Sequence, residues 1–199
     1  MAEIPDAEIR LIVQRTLNQA MGLSKQSTEA ASTPAQAKTV PKSEAHPPEQ
    51  KVVAIGADHG GYELKEILKA DVSALGFEII DVGTKSKEAV DYPDFAHSVA
   101  RLVGTGKAWR GIVIDGAGIG SCIVANKVPG VRAGLAYDYS SAVNSREHND
   151  TNVLTLGAGL IGINLAKQIV KTWLSTMFGG ERHARRVDKI VAIEKQYLK

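Results

Sequence analysis

The chain has 199 residues, 24 Lys and Arg against 22 Asp and Glu for a formal charge of +2, and 44% hydrophobic residues, values that fit one globular domain with a tail and exclude a collagenous or wholly disordered chain. No run of about 18 apolar residues occurs, so no membrane span is expected, and the near balance of charge argues against a polyanionic partner such as nucleic acid. Cys122 is the only cysteine, which excludes an internal disulfide and a cysteine-built zinc site, and the N-terminus lacks a basic region followed by an apolar signal core, so a reducing, cytosolic compartment is expected.

Residues 1–22 read as one amphipathic helix. Ile9, Ile12, Val13, Leu17, Ala20 and Met21 recur at three- and four-residue intervals against Arg10, Gln14, Arg15 and Asn18, with Pro5 and Asp6 at the start and Gly22 as the stop. A helix this short is marginal alone in water, so its stripe calls for a partner surface: its own domain, an oligomer, or a separate protein reached by a detachable targeting helix. In residues 23–50 Leu23 and Val40 are the only large aliphatic residues, and Pro34, Pro41, Pro47 and Pro48 fall among Ser, Thr, Ala, Gln and Lys. Such a stretch buries too little apolar surface to offset its ordering entropy, which predicts a flexible linker and a folded domain over 51–199.

From Lys51 short aliphatic runs at 52–55, 78–82, 111–114, 131–136 and 152–156 alternate with helical patterns at 62–75, 94–104, 121–127 and 140–148, and longer helices follow from 162 and 185. This alternation predicts an α/β fold, a parallel five-stranded sheet covered by helices on both faces with right-handed crossovers. Ligands in such folds bind outside the carboxyl ends of the strands.

The loops at those ends carry the chemistry. GADHGGYELK places Asp58 and His59 before a helix, where backbone amides and the helix end favour an anion and His59 can add a hydrogen bond; alternatively Asp58 caps the turn. IDGAGIGSCIVANK carries Gly116, Gly118 and Gly120 into a helix, a loop able to aim several amides at one oxyanion, yet lacking the spacing of a dinucleotide fingerprint or a Walker loop. Asp115, at the tip of an apolar strand, is either a proton-transfer group or a cap for the following helix. SREHNDTN places His148 and Asn149 before the fifth strand, His148 being a catalyst or a hydrogen-bonded structural residue. GGERHARRV supplies Arg182, His183, Arg185 and Arg186; Arg182 and Arg186 share a helix face and can grip a phosphate, or belong to a solvated charge run. No Asp, Glu and His cluster shows metal-ligand spacing, so no metal is expected.

Taken jointly, GADHGG, DYPDFA, GAGIGSCIVANKVPGVRA, SREHNDTNVL and GGERHARRV, in this order and spacing, resemble the ribose-5-phosphate isomerase B family, which includes the galactose-6-phosphate isomerase subunits. The likeness runs over essentially all of 51–199. It implies a Rossmann-like three-layer sandwich that forms homodimers, with active sites at the subunit interface, and a cofactor-independent interconversion of aldose and ketose phosphates through a cis-enediolate. By the same resemblance Asp58 and His59 face the sugar and its phosphate and Tyr92 lines the pocket. His148 helps open the ring, Asn149 binds the developing enediolate oxygen with amides of the loop Gly116, Ala117, Gly118 and Gly120, and Arg182, His183 and Arg186 hold the phosphate, across the dimer.

Several positions depart from the family pattern. Asp115 stands where many members have a cysteine base, and Ser121 where another branch has a glutamate, so Asp115 is expected to be the base and Cys122 the second candidate. Ala117 replaces a Thr or Ser, and Gly159 replaces an arginine. Losing one charge-assisted phosphate contact costs about 1.5–3 kcal/mol, so either another residue compensates or the substrate differs from ribose 5-phosphate, a hexose 6-phosphate being one alternative. The same departures leave open a catalytically silent phosphosugar-binding or assembly protein. The helix and linker of residues 1–50 resemble the encapsulation peptides that deliver cargo to bacterial microcompartment shells, with residues 6–21 docking in a groove on a shell or partner protein. No membrane or nucleic-acid partner is expected, and the expected assembly is a homodimer, with a tetramer of paired dimers as the alternative.

Overall fold

The computed structural model describes residues 51–198; the expected helix over 1–22 and linker over 23–50 lie outside the described residues. Five strands, β1 (Val52–Ala57), β2 (Glu78–Asp81), β3 (Arg110–Asp115), β4 (Ala133–Leu135) and β5 (Val153–Gly157), form one sheet in the order β2-β1-β3-β5-β4. Every pairing is parallel. The three central strands are buried along nearly their whole length, which explains their continuous aliphatic runs: a strand covered on both faces has no side on which to alternate polar residues.

Six helices connect and follow the strands: α1 (Tyr62–Ala74), α2 (Tyr92–Gly104), α3 (Ile119–Ala125), α4 (Tyr139–Glu147), α5 (Ile163–Ser175) and α6 (Glu181–Tyr197). On one face Leu64, Leu68 and Val72 of α1, Ala142 of α4 and Ile169, Val170 and Trp173 of α5 pack against Val53, Ile55, Ile112, Ile114, Leu154 and Leu156. On the other, Val99 and Ala100 of α2 and Ala125 of α3 pack against Ala54, Val113 and Val153. Each fully buried Leu or Ile contributes about 1.5–3 kcal/mol by leaving water. The result is the three-layer α/β sandwich expected from the alternating pattern.

The buried tryptophan is held by polar contacts as well. Trp173 Nε1 donates to Thr151 Oγ1 at 2.9 Å, and the Arg110 guanidinium donates to the carbonyls of Trp173 (2.8 Å) and Leu174 (2.9 Å). Those are carbonyls of the last turn of α5, which have no partner within the helix, so Arg110 closes its end.

Element boundaries fall within two residues of the sequence expectation except at the start of the last helix, and the fourth strand is shortened at both ends. The fourth strand shrinks to Ala133–Leu135 because, at the sheet edge, it has only β5 to pair with. The last helix starts at Glu181, four residues before the expected position 185, immediately after the Gly179–Gly180 pair, so Arg182, His183 and Arg186 all lie on it.

The connections locate the crevice. β1 leads to α1 on one face and β3 leads to α3 on the other, while the two strands are hydrogen-bonded neighbours. Between their carboxyl ends the chain therefore parts in opposite directions, which opens the cleft where ligands of such sheets bind.

Candidate active site

Asp58 follows β1 and is only 7% exposed. Its Oδ1 accepts the Gly61 N–H at 3.0 Å, which folds the turn into α1, and its own N–H donates to the Ile114 carbonyl at 3.3 Å. Asp58 thus does cap its turn, using one carboxylate oxygen. The neighbouring His59 is exposed, its Nδ1 lying 3.1 Å from the Val90 carbonyl oxygen and 3.2 Å from the Val90 nitrogen, which orients the ring and leaves Nε2 without a partner among the described residues.

Across the cleft, the buried Asp115 closes β3. Its Oδ1 accepts the N–H groups of Ala117 (2.8 Å) and Gly118, and its Oδ2 accepts the Ser121 N–H (3.1 Å) and the Ser121 hydroxyl (2.5 Å). A carboxylate offers about four lone-pair sites, and all are occupied here. Of the two readings open for Asp115, the geometry favours the cap over the base expected from the family position: a base needs a free lone pair, and freeing one means breaking a bond that shapes the loop. The carboxylate also consumes three of the loop amides expected to bind an oxyanion. Gly116, Ile119 and Gly120 keep N–H groups without a partner among the described residues.

Gly118 adopts φ +78°, a left-handed conformation that strains any side chain, and a Cβ there would come within 2.6 Å of Leu135 and 2.8 Å of the Leu156 carbonyl carbon. At Gly120 a Cβ would stand 2.5 Å from the Tyr92 ring, so the missing side chain is what lets Tyr92 lie on the loop, as a pocket wall requires. Tyr137, which the sequence reading passed over, donates its hydroxyl to the Ala117 carbonyl at 2.7 Å. The Gly159 N–H donates to the Gly116 carbonyl at 2.9 Å, tying the β5 loop to the same rim. Cys122 faces β4: its thiol donates to the Ala133 carbonyl at 3.6 Å, and burial pushes its pKa up, so it stays a neutral thiol at pH 7.

The remaining expected residues gather elsewhere. The His148 and His183 rings stack with centroids 4.1 Å apart and planes within 8°. Asn144 donates its amide to His148 Nδ1 at 2.9 Å, and Asn149, exposed, donates to the Asn144 carbonyl at 3.4 Å. Arg182 Nε donates to His183 Nε2 at 3.3 Å, while His183 Nδ1 is buried without a partner among the described residues. Burial, then the charges of His148, Arg182 and Arg186, hold His183 below the ordinary histidine pKa. Arg182 and Arg186 are exposed and make no salt bridge among the described residues, leaving both guanidiniums open to an anion.

These two groups sit at opposite ends of the sheet. α4 starts beyond the carboxyl end of β4 and runs back for nine residues, roughly 14 Å, so His148 and Asn149 emerge beside the amino end of β5. The expected meeting of Asn149 with the glycine loop therefore does not occur within one chain.

Residues 53–190 match the model of the Ribose/Galactose Isomerase family. The ribose-5-phosphate isomerase B of Escherichia coli K12 is 46% identical over 146 residues, 73% of this chain and 98% of the relative. The D-erythrulose-4-phosphate isomerase of Pectobacterium atrosepticum is 41% identical over 145 residues, 72% of this chain and 95% of the relative. A solved ribose-5-phosphate isomerase B of Clostridium thermocellum superposes with a TM-score of 0.72 at 51% identity, covering 74% of this chain and 99% of that one. A parallel sheet with its cleft at the β1/β3 parting, joined to such full-length matches, defines a sugar-phosphate isomerase domain, and the chain belongs to the ribose/galactose isomerase family.

Proposed function

We propose that the chain interconverts ribose 5-phosphate and ribulose 5-phosphate through a cis-enediolate without a cofactor. The observation that carries this reading is the cleft at the β1/β3 ends, with an enclosed carboxylate (Asp58), an imidazole (His59), an aromatic wall (Tyr92) and unpartnered loop amides, in a domain that matches ribose-5-phosphate isomerase B relatives over nearly their full length. Removing a proton beside a carbonyl needs a base and fixed donors for the forming oxyanion, and a bound phosphate supplies the positioning energy.

The separation of the two residue groups supports a homodimer in which each site is completed in trans: Asp58, His59, Tyr92 and the loop from one protomer, and His148, Asn149, Arg182, His183 and Arg186 from the other. Two-fold pairing brings opposite ends of two sheets together without any change in either chain. The exposed Ile190, Ile193 and Tyr197 on α6 supply an apolar face for that pairing.

Turnover of ribose 5-phosphate by the purified full chain, run beside tetrose 4-phosphates and hexose 6-phosphates, tests the assignment. Turnover of ribose 5-phosphate is expected; turnover of another sugar alone moves the substrate, and binding of phosphosugars without turnover of any contradicts the isomerase reading. Gly159, which offers no side-chain phosphate donor, is the reason the other phosphosugars are run alongside.

For residues 1–50 the pattern of the sequence supports delivery to a bacterial microcompartment shell through residues 6–21. Deleting 1–49 checks this: isomerase activity should persist and co-purification with shell proteins should be lost, whereas unchanged co-purification contradicts it. No helix among the described residues is long and apolar enough to cross a membrane.

A further inference from the structure

We infer that Asp58, rather than Asp115, is the carboxylate that moves the proton between C1 and C2 of the sugar, an assignment that rests on the isomerase reading above. The cleft holds few groups able to take a proton from carbon. Asp115 has both oxygens filled, two donors on each, and those donors are the backbone and side chain of its own loop. Cys122 faces β4 as a neutral thiol. His59 is exposed and tethered through Nδ1 to Val90, which suits a phosphate contact.

Asp58 differs from each of these. Only Oδ1 is used, by the Gly61 N–H, while Oδ2 accepts no hydrogen bond among the described residues. That single bond fixes the carboxyl group without exhausting it, and the side chain sits enclosed at the strand end, where a proton acceptor is shielded from bulk water. Gly60 joins it to the other wall: a Cβ on Gly60 would lie 3.4 Å from Asp58 Oδ1 and 3.5 Å from the Gly116 nitrogen, so the carboxylate and an unpartnered amide border one small space. A base and an oxyanion donor on either side of a reacting carbon is the arrangement that enolisation needs.

The step balances without a co-reactant. Asp58 Oδ2 takes the proton from C2 of the open aldose; the C2–H electron pair becomes the C1–C2 double bond, and the carbonyl pair moves onto O1 against the amide. The same carboxyl returns the proton to C1 as the O2–H proton passes to O1, leaving C2 as the carbonyl. C1 is reduced and C2 oxidised within one molecule.

The test is exchange of the C2 proton of ribose 5-phosphate with deuterated water, catalysed by the full chain. Wild type should exchange. Asp58→Asn should lose about a thousandfold in exchange rate while still binding the sugar in equilibrium dialysis, and Asp58→Ala should regain exchange in proportion to added formate, a small carboxylate that enters the vacated space. A folded Asp115→Asn protein should show a raised KM and a lowered melting temperature, with exchange still measurable at saturating sugar. Exchange that survives in Asp58→Asn, absence of formate rescue, or abolished exchange in folded Asp115→Asn overturns the assignment and leaves the isomerase reading standing. Should Asp115→Asn fail to fold, formate rescue alone decides. Absence of both exchange and isomerisation by wild type on every phosphosugar removes the isomerase reading and this assignment with it.

Discussion

Ser121 gives both its amide N–H and its hydroxyl to a single oxygen of Asp115, at 3.1 and 2.5 Å, with both residues buried. The pair joins the end of β3 to the first turn of α3 and so sets the shape of the glycine loop between them. A hydrogen bond to a charged group is worth about 1.5–3 kcal/mol. Ser121→Ala is therefore expected to lower the unfolding free energy by about 2 kcal/mol, measured by urea denaturation; an unchanged midpoint would mean that the carboxylate does not need this donor.

Gly118 should tolerate no side chain. Its positive φ costs an alanine about 1–2 kcal/mol, and the collision with Leu135 and Leu156 adds about 1–3 kcal/mol of overpacking. Gly118→Ala is expected to lose about 2–5 kcal/mol, enough to cut the yield of folded protein at 37 °C, as solubility and thermal melting will show.

Gly120 is a gentler case, because what its Cβ meets is a side chain that can turn away. Gly120→Ala should displace the Tyr92 ring and raise KM with little loss of stability. In the Tyr92→Ala background the same substitution should have almost no further effect on KM, so a double-mutant cycle reads the coupling directly.

The His148–His183 stack makes a pH prediction. Burial, followed by the charges of His148, Arg182 and Arg186, holds His183 below its ordinary value of 6.5, so the folded protein takes up this proton less readily than the unfolded chain. Stability from this site is then full above about pH 6.5 and declines as the pH falls below it, where the unfolded state binds the proton first. His183→Gln should flatten the fall of the unfolding free energy below pH 6.5 relative to wild type. Phosphate should oppose the decline, since an anion on Arg182 and Arg186 offsets the positive field.

Much of this was legible in the sequence. The central strands announced themselves as uninterrupted aliphatic runs, and the glycines and polar residues singled out in the sequence lie in the loops that follow those strands. The place of α6 was harder to see, because its start is set by the Gly179–Gly180 pair and only His183 and Val187 are buried on it. Asp115 was ambiguous for a physical reason: a strand-end carboxylate before a glycine loop serves equally as a base or a cap, and only the positions of three amides and one hydroxyl separate the two. Ser121, six residues on, became informative once α3 was seen to start at Ile119 and to bring its hydroxyl back to the strand. Asn144 could have been found from its i, i+4 spacing to His148 on a predicted helix.

The division of the site between two ends of the sheet makes one measurement most direct. Asp58→Asn and the double variant Arg182→Ala, Arg186→Ala are each expected to be inactive on ribose 5-phosphate, and co-expressing them tests whether each site draws on two chains. If it does, a mixed dimer carries one site damaged twice and one intact, so the statistical mixture should recover about a quarter of wild-type turnover. Turnover that stays at the level of the separate variants, in mixtures shown to contain mixed dimers, would contradict the account.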